Sequence, residues 1–428
     1  MSKAEMGMIL QVTARRVARA VLGASVPVLA AALLMSGGSA YAKEEAKAAD
    51  AVRAELGKPL GEVQALMQKG KYREALAALK DAGEVKNRTP YENYVIERLR
   101  ASAAARSGDD EIAARSFRAV IASGRLGPKE RSQFQEGLIA IEYRAKDYAA
   151  VVELASAYFR YGGNDKAIRT LYQQSLYLKG DYTGVAAELT AEIDAGIKAN
   201  RKPPEVQLQL LASAYLKQSN HAGYISALEH LLDYYPKKEY WTDVIYRIAQ
   251  LPGMRERLAL DLARLRLTVG QSHSVADFLE PAQLSLQAGF PLEALKFLDK
   301  GFASGKLGVG PEGERHKRLL ELAKRQAAED SNSLKDSEKL ALASADGKLA
   351  LANGYDLVLN GQNDKGLELM ATGISKGGIK YVDDARLLLG YAQYIARQKS
   401  KAIQTMRSIK GHDAPAVLAR LWVIQLSN

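Results

Sequence analysis

Cysteine is absent from all 428 residues of the chain. A protein without cysteine has no disulfide framework, no thiolate metal site and no lipid-modified N-terminal cysteine. No segment sustains the alternation of apolar and polar residues that is typical of a half-buried strand, so we expect almost no β-structure. The fold must therefore depend on packed helices.

Residues that carry out chemistry are also scarce. The histidines are five and scattered: His221, His230, His273, His316 and His412. No two of these histidines have a spacing that would place both of them on one helix face as metal ligands. The acidic pairs Asp109-Asp110 and Asp383-Asp384 stand where helices are predicted to begin, and there carboxylates interact favourably with the helix dipole. We predict no catalytic residues, no metal, no cofactor and no enzymatic activity.

The first 42 residues have the layout of a secretory signal peptide. Basic residues precede the apolar run 20–35, and the segment ends in Ser39-Ala40-Tyr41-Ala42, an A-x-A cleavage site. We expect cleavage after Ala42 and a periplasmic protein with no integral membrane span. The alternative is an uncleaved inner-membrane anchor facing the periplasm, because residues 17–35 approach the length that a spanning helix needs.

The formal net charge of +11 favours acidic partners or a membrane surface. An exported protein is not expected to bind nucleic acid. The chain also exceeds the size at which a single hydrophobic core stops growing, which predicts either several domains or a repeat array.

A repeat is visible in the pattern of small residues. Several stretches have a helix with apolar residues three and four apart, then a small or polar turn, then a second helix that opens with a small or apolar residue. These opening residues are Ala75, Ala113, Val151, Val185, Tyr224, Ala294, Gly366 and Ala402. Most are 34 to 39 residues apart, and two gaps of 70 and 72 predict a divergent helix pair in 240–270 and another in 311–330.

At this spacing the sequence resembles the tetratricopeptide repeat (TPR) family, whose unit is a pair of antiparallel helices. The best copy contains Leu211-Ala212-x-x-Tyr215, followed by Tyr224, Leu228, Leu231 and Pro236, and another contains Leu389-Gly390, Ala402, Met406 and Ile409. Gln173, Val151 and Val185 depart from the pattern. The resemblance covers residues 57–415 and implies an all-α, right-handed superhelical solenoid of about ten helix pairs.

The second half is also similar to a narrower group, the periplasmic TPR proteins encoded beside TonB, ExbB and ExbD. The similarity lies in stretches such as LLDYYPKKEYWTDVIYRI and APAVLARLWVIQL. It implies an accessory role in energised uptake, with TonB, ExbB or ExbD components among the partners.

Composition shifts divide the predicted chain further. We predict a polar leader at 43–56, N-terminal repeats at 57–239, divergent repeats at 240–330, a polar loop or hinge at 331–346, and C-terminal repeats at 347–428. The hinge is predicted because AAEDSNSLKDSEKLALASAD, at 327–346, is rich in Ser and charge.

Tyrosine is unusually common, with 21 residues against 7 phenylalanines. In the TPR family the first helix of each pair lines the inner groove, and counting from the repeat anchors places six candidate partner-binding residues there. They are Tyr143, Tyr177, Lys217, Tyr355, Tyr391 and Tyr394. Tyrosine offers apolar area and a polar tip, which suits a surface that binds peptide or sugar. The alternative is that these tyrosines pack between repeats.

Two functions follow from these features. The first is a non-enzymatic periplasmic scaffold that binds other envelope proteins in an uptake or assembly complex. The second is a cell-wall glycan or peptidoglycan-binding module that assists an envelope enzyme. The oligomeric state has no signature in the sequence.

Overall fold

A computed structural model describes residues 51–428, so the predicted signal peptide lies outside the described residues. Within 51–428 the chain forms twenty α-helices and no β-strand. The all-α prediction is confirmed. Among these helices none is both long and apolar enough to cross a membrane.

The chain divides into two compact units, with the boundary between Ala195 and Gly196. The helices that begin in the first unit are α1 (Ala54–Gln68), α2 (Tyr72–Glu84), α3 (Pro90–Ser107), α4 (Asp110–Ala122), α5 (Pro128–Arg144), α6 (Tyr148–Arg160), α7 (Lys166–Lys179) and α8 (Tyr182–Lys198), and the boundary falls within the last turn of α8. Each helix from α1 to α6 packs against the next one in sequence, and the short turns between them make neighbours antiparallel.

The second unit continues the same arrangement. Its helices are α9 (Glu205–Lys217), α10 (His221–Tyr234), α11 (Lys238–Ile248), α12 (Ala259–Thr268), α13 (Ala276–Gln287), α14 (Pro291–Ala303), α15 (Gly313–Ala343), α16 (Gly347–Leu359), α17 (Asn363–Lys376), α18 (Val382–Ile395), α19 (Lys399–Ser408) and α20 (Ala414–Ser427). Direct contact defines at least seven of the roughly ten predicted pairs: α1·α2, α3·α4, α5·α6, α9·α10, α13·α14, α16·α17 and α18·α19.

The predicted repeat register is confirmed. All eight opening residues are buried, and each is the fourth residue of its helix. Five positions before each of them the backbone has a positive φ, at Gly70, Gly108, Lys146, Gly180, Ser219, Gly289, Gly361 and Arg397. A left-handed residue ends one helix and reverses the chain, so this turn fixes which face of the second helix meets the first.

Helix starts are fixed by side-chain caps. Asp109 caps α4 by accepting a hydrogen bond from the Ile112 amide at 3.1 Å. Asp147 caps α6 in the same way, by accepting a hydrogen bond from the Ala150 amide at 2.9 Å. Asp383 and Asp384 lie in the first turn of α18. The prediction that the acidic pairs mark helix starts is confirmed.

Four of the predicted segments or boundaries differ from the structure. Residues 331–343 belong to α15 instead of a polar loop, and 311–330 also form part of this one helix instead of a pair. Without Gly or Pro between 314 and 346, the segment stays helical, and it buries a stripe at near-heptad spacing: His316, Ala323, Ala327, Leu334 and Ala341.

The polar leader ends earlier than predicted, because α1 begins at Ala54 and Leu56 is fully buried. The boundary predicted between 239 and 240 does not separate compact units. Helix α20 packs against α10 and α12, which ties residues 196–239 to the rest of the second unit. Arg420 on α20 forms an ion pair with Glu229 on α10 at 2.9 Å. This ion pair joins the last helix of the second unit to one of its first helices.

Glycine sets the spacing of α16 and α17. A Cβ atom added to Gly347 would lie 1.9 Å from the carbonyl oxygen of Gly373, and one added to Gly354 would lie 2.6 Å from that of Gly366. The two glycines of each helix are seven residues apart, so they fall on one face. The backbones of α16 and α17 are therefore in direct contact.

We predict that Gly354→Ala lowers the free energy of unfolding by about 1–3 kcal/mol or more, because the new methyl group meets backbone atoms that cannot move aside. Gly61→Ala, on the exposed face of α1 with no atom within 4 Å of the added Cβ, is the matched control. It should stabilise by about 0.5–1 kcal/mol through helix propensity. Urea unfolding measures both, and equal effects would show that α16 and α17 are not in backbone contact.

Glu92 joins two helix starts in the first unit. Its fully buried carboxylate accepts from Arg53 Nε at 2.9 Å and from the amides of Arg53 and Thr89, at 3.0 and 2.8 Å, while Thr89 caps the Glu92 amide. Hydrogen bonding from Arg53 lowers the pKa of Glu92 to about 2.

We predict that Glu92→Gln destabilises the protein by about 1–3 kcal/mol at neutral pH. The ionised carboxylate stabilises the fold above the usual glutamate pKa of 4.5, and this contribution is lost as the pH falls toward 2. The difference from wild type in urea unfolding should therefore narrow below pH 4.5. Glu74→Gln, which removes an exposed pair with Lys71, is the control and should change stability by less than about 0.5 kcal/mol.

Candidate functional site: a charged cleft in the second unit

A cleft of about 470 Å³ opens in the second unit. Helices α12, α13, α16 and α18 contribute to it, together with the segments that precede α12 and α18. Its polar lining residues are Arg255, Glu256, Arg257, Asp261, Arg264, Lys348, Lys380, Tyr381 and Asp384, and its apolar ones include Leu260, Leu284, Ile379 and Leu388. Apolar walls with a few convergent charges are typical of a binding site.

The floor of the cleft is a buried ion pair. Arg264 on α12 binds Glu293 on α14 through two parallel hydrogen bonds, Nε to Oε1 at 2.8 Å and Nη2 to Oε2 at 2.7 Å. Both side chains are almost fully buried. Arg264 Nη1 also donates to Asp261 at 2.8 Å, and the Tyr355 hydroxyl donates to Glu293 Oε1 at 2.8 Å. The guanidinium is therefore satisfied on two sides by carboxylates.

Burial shifts the pKa of the groups around this pair. Loss of solvent raises the pKa of Asp261, although Arg264 acts in the opposite direction. Loss of solvent also raises the pKa of Tyr355 well above its usual value, and the negative charge of Glu293 adds to this. The raised pKa favours the protonated hydroxyl that donates to Glu293.

Aromatic rings surround the ion pair. The guanidinium of Arg264 lies 5.2 Å from the ring centroids of both Tyr355 and Tyr391. Phe290 meets Tyr355 edge to face at 4.9 Å, and Trp422 on α20 lies 5.5 Å from Tyr391. The ring faces attract the cation and the rings exclude water, so the floor is fixed in one geometry.

The rim carries exposed charge. Arg257 forms an ion pair with Asp384 at 2.8 Å and stacks over the ring of Tyr381, with its carbon Cζ 4.0 Å from the centroid. Lys380 Nζ lies 5.0 Å from the same centroid, and Tyr381 is 43% exposed. Burial raises the pKa of Asp384 to about 6. The nearby carboxylates also raise this pKa, whereas the positive charge of Arg257 lowers it.

The predicted partner-binding residues differ in their exposure. We expected them to be partly exposed, and this is wrong for three of them, because Tyr143, Tyr355 and Tyr391 are at most 9% exposed. Tyr143 donates to the buried Gln174 at 2.9 Å, and Tyr391 lies close to Lys296 Nζ, with its hydroxyl oxygen 2.8 Å away. Their hydroxyl groups have partners inside the protein, so these tyrosines are core residues.

The other three predicted residues are more accessible. Tyr177 and Tyr394 are half-buried, against the rings of Tyr182 and Trp422 respectively, and Lys217 is exposed. Whether they bind a partner stays a prediction.

Four residues of this cleft or its floor were not predicted from the sequence: Arg264, Glu293, Arg257 and Tyr381. The sequence held one signal for Glu293, because this residue directly precedes the buried anchor Ala294. Arg264 had none, because α12 also carries the charged residues Asp261 and Arg266. No local pattern marks Arg257 and Tyr381, which lie in different connections and meet only through the fold.

A larger cleft, of about 950 Å³, lies in the first unit between α2, α3 and α4. Its lining carries charges of both signs, including Arg73, Lys80 and Glu111. The cleft of the second unit is the stronger candidate, because its charged rim stands on a fixed, buried floor. No group of three or more His, Asp or Glu residues in 51–428 is arranged to hold a metal ion.

Together these features define the class of protein, an all-α protein of repeated helix pairs. No known family model matches the sequence, and no curated protein sequence matches it. Among solved structures, a chain of Naa15/Naa10 bound to HypK-THB is similar at 15% sequence identity and a TM-score of 0.29. The match covers 92% of this chain and 68% of that one.

We predict that Glu293→Gln lowers the free energy of unfolding by about 3–5 kcal/mol, because it leaves the Arg264 guanidinium buried beside an uncharged partner. The double replacement Arg264→Met with Glu293→Leu should recover much of this loss. Glu314→Gln, which removes an exposed pair with Lys317, is the control. If Glu293→Gln unfolds in urea at the same concentration as Glu314→Gln, the ion pair does not hold the second unit together.

Proposed function

We propose that the protein is a non-enzymatic interaction scaffold that binds a partner protein in the cleft of the second unit. The observation that carries the proposal is the rim of the cleft. There Arg257 stacks on the partly exposed ring of Tyr381, and the same cleft contains the buried ion pair of Arg264 and Glu293. Tyrosine and arginine are enriched among the residues that dominate binding energy at protein interfaces. Side chains that are already ordered lose little entropy when a partner binds.

The location and partners in this proposal come from the sequence. The signal layout of residues 1–42 supports export to the periplasm, and the resemblance of the second half supports a role beside TonB, ExbB and ExbD. The scaffold would then hold an envelope protein near the energised uptake machinery. Mass spectrometry of the periplasmic protein should find an N-terminus at Lys43, and an intact Met1 would contradict the cleavage.

A cell-wall glycan is the alternative ligand. Sugar rings bind by stacking on open aromatic faces, and one face of Tyr381 is covered by Arg257 at 4.0 Å. The geometry therefore favours a protein partner. Retention of the purified protein on isolated peptidoglycan, unchanged by competing envelope proteins, would support the glycan instead.

We predict that replacing Tyr381 with Ala reduces capture of the partner by at least about tenfold, as expected for the loss of an anchor that contributes above 1 kcal/mol. The measurement is in-cell crosslinking at the cleft, followed by identification of the crosslinked protein. Tyr161→Ala is the matched control, since Tyr161 is a tyrosine of the first unit that is 84% exposed. Capture that both variants reduce equally, or that neither reduces, would contradict binding in this cleft.

A further inference from the structure

Five cationic side chains line the cleft against three carboxylates. The cations are Arg255, Arg257, Arg264, Lys348 and Lys380, and the carboxylates are Glu256, Asp261 and Asp384. Among residues 51–428 no carboxylate lies within ion-pair distance of Lys380 or Arg255. Arg255 instead donates to neutral acceptors, the Ala249 carbonyl and the Gln250 side chain, both at 3.3 Å. Lys348 has a partner in Asp346 at 3.3 Å, but both side chains are exposed, and such pairs contribute little.

Arg257 differs from Lys380 and Arg255, because its guanidinium forms an ion pair with Asp384. The position of Asp384 is unfavourable for a negative charge apart from this contact. Asp261 on α12, Asp383 beside it on α18 and Asp413 before α20 all repel its carboxylate, and Arg257 is the cation that faces it. A carboxylate held mainly by one exposed arginine is readily displaced by another.

The apolar walls of the cleft place a second requirement on the ligand. Leu260, Leu284, Ile379 and Leu388 line the cleft between the charged groups. A ligand that fits both features carries carboxylates and apolar side chains close together. Arg257 covers one face of Tyr381, so at most one face of this ring is left for a nucleic-acid base to stack on.

We propose that this cleft binds an acidic, apolar peptide segment of the partner, whose carboxylates contact Lys380 and Arg255 and displace Asp384 from Arg257. The inference rests on the proposed scaffold function and adds the chemistry of the partner. Asp384 acts as an internal competitor for the site. Protonation of Asp384 near pH 6 releases Arg257, whereas glutamates of the ligand, with ordinary pKa values near 4.3, stay ionised there. Binding therefore strengthens as the pH falls from 7.5 to 5.5.

The test uses fluorescence anisotropy with the whole protein and a labelled peptide in which Glu alternates with Leu. A peptide with Gln in place of every Glu is the neutral control and should bind at least about tenfold more weakly. Arg257→Gln and Lys380→Gln should each weaken binding of the acidic peptide by about threefold or more. Lys317→Gln, on the exposed face of α15, should leave it unchanged.

The variant Asp384→Asn should change peptide binding in the opposite direction to Arg257→Gln and Lys380→Gln. It should strengthen binding at pH 7.5 by about threefold or more and abolish the pH dependence. The inference is overturned if Asp384→Asn weakens binding, if the Glu and Gln peptides bind alike or not at all, or if single-stranded DNA of equal charge displaces the peptide as well as unlabelled peptide does.

The two proposals fail separately. If the partner is crosslinked in the cell and lost in Tyr381→Ala, while Arg257→Gln and Lys380→Gln capture it normally, the scaffold function stands and the acidic specificity is wrong. If the acidic peptide binds as described but no protein is crosslinked at the cleft, the site binds acidic peptide without the scaffold role.

Discussion

A guanidinium buried away from water organises the second unit. Burial of Arg264 would be strongly unfavourable without partners, and two carboxylates, a tyrosine hydroxyl next to one of them and two aromatic rings all gather around it. Glu293 and Tyr355 are 62 residues apart, and Lys296 and Tyr391 are 95 apart, yet each pair is in direct contact. In an ordinary repeat array each repeat contacts its sequence neighbours. Here the contacts around one buried charge join four helices that are distant in the chain.

The repeat itself is a local property, and this is why the sequence was sufficient to predict it. A left-handed residue five positions before a small or apolar anchor sets both the reversal and the face of the second helix. These positions are fixed by neighbours in sequence, and they recur at Gly180 before Val185 and at Arg397 before Ala402. The same local reasoning explains the failure at α15, where polar composition suggested a loop although nothing between 314 and 346 interrupts a helix.

The candidate site could not be predicted in the same way. Whether Tyr355 and Tyr391 line a groove or fill a core depends on what packs against them. Phe290 packs against Tyr355, and Trp422 of α20 packs against Tyr391, which spacing within a repeat does not reveal. Arg257, Tyr381 and Asp384 come together from the connection before α12 and from the start of α18. Their chemistry is ordinary residue by residue, and only their contact makes a site.

The contact between α20 and α10 has a consequence for how the protein is made. Arg420 and Glu229 are separated by 191 residues, so the second unit buries its own early helices only after a long stretch of chain has been synthesised. Contacts of such high sequence separation slow folding and prolong the exposure of apolar surface. Leu231 and Leu232 of α10, buried in the finished unit, are part of that surface. In the first unit, by contrast, helices α1 to α7 pack against their neighbours in sequence, so these contacts can form as soon as each helix has been synthesised.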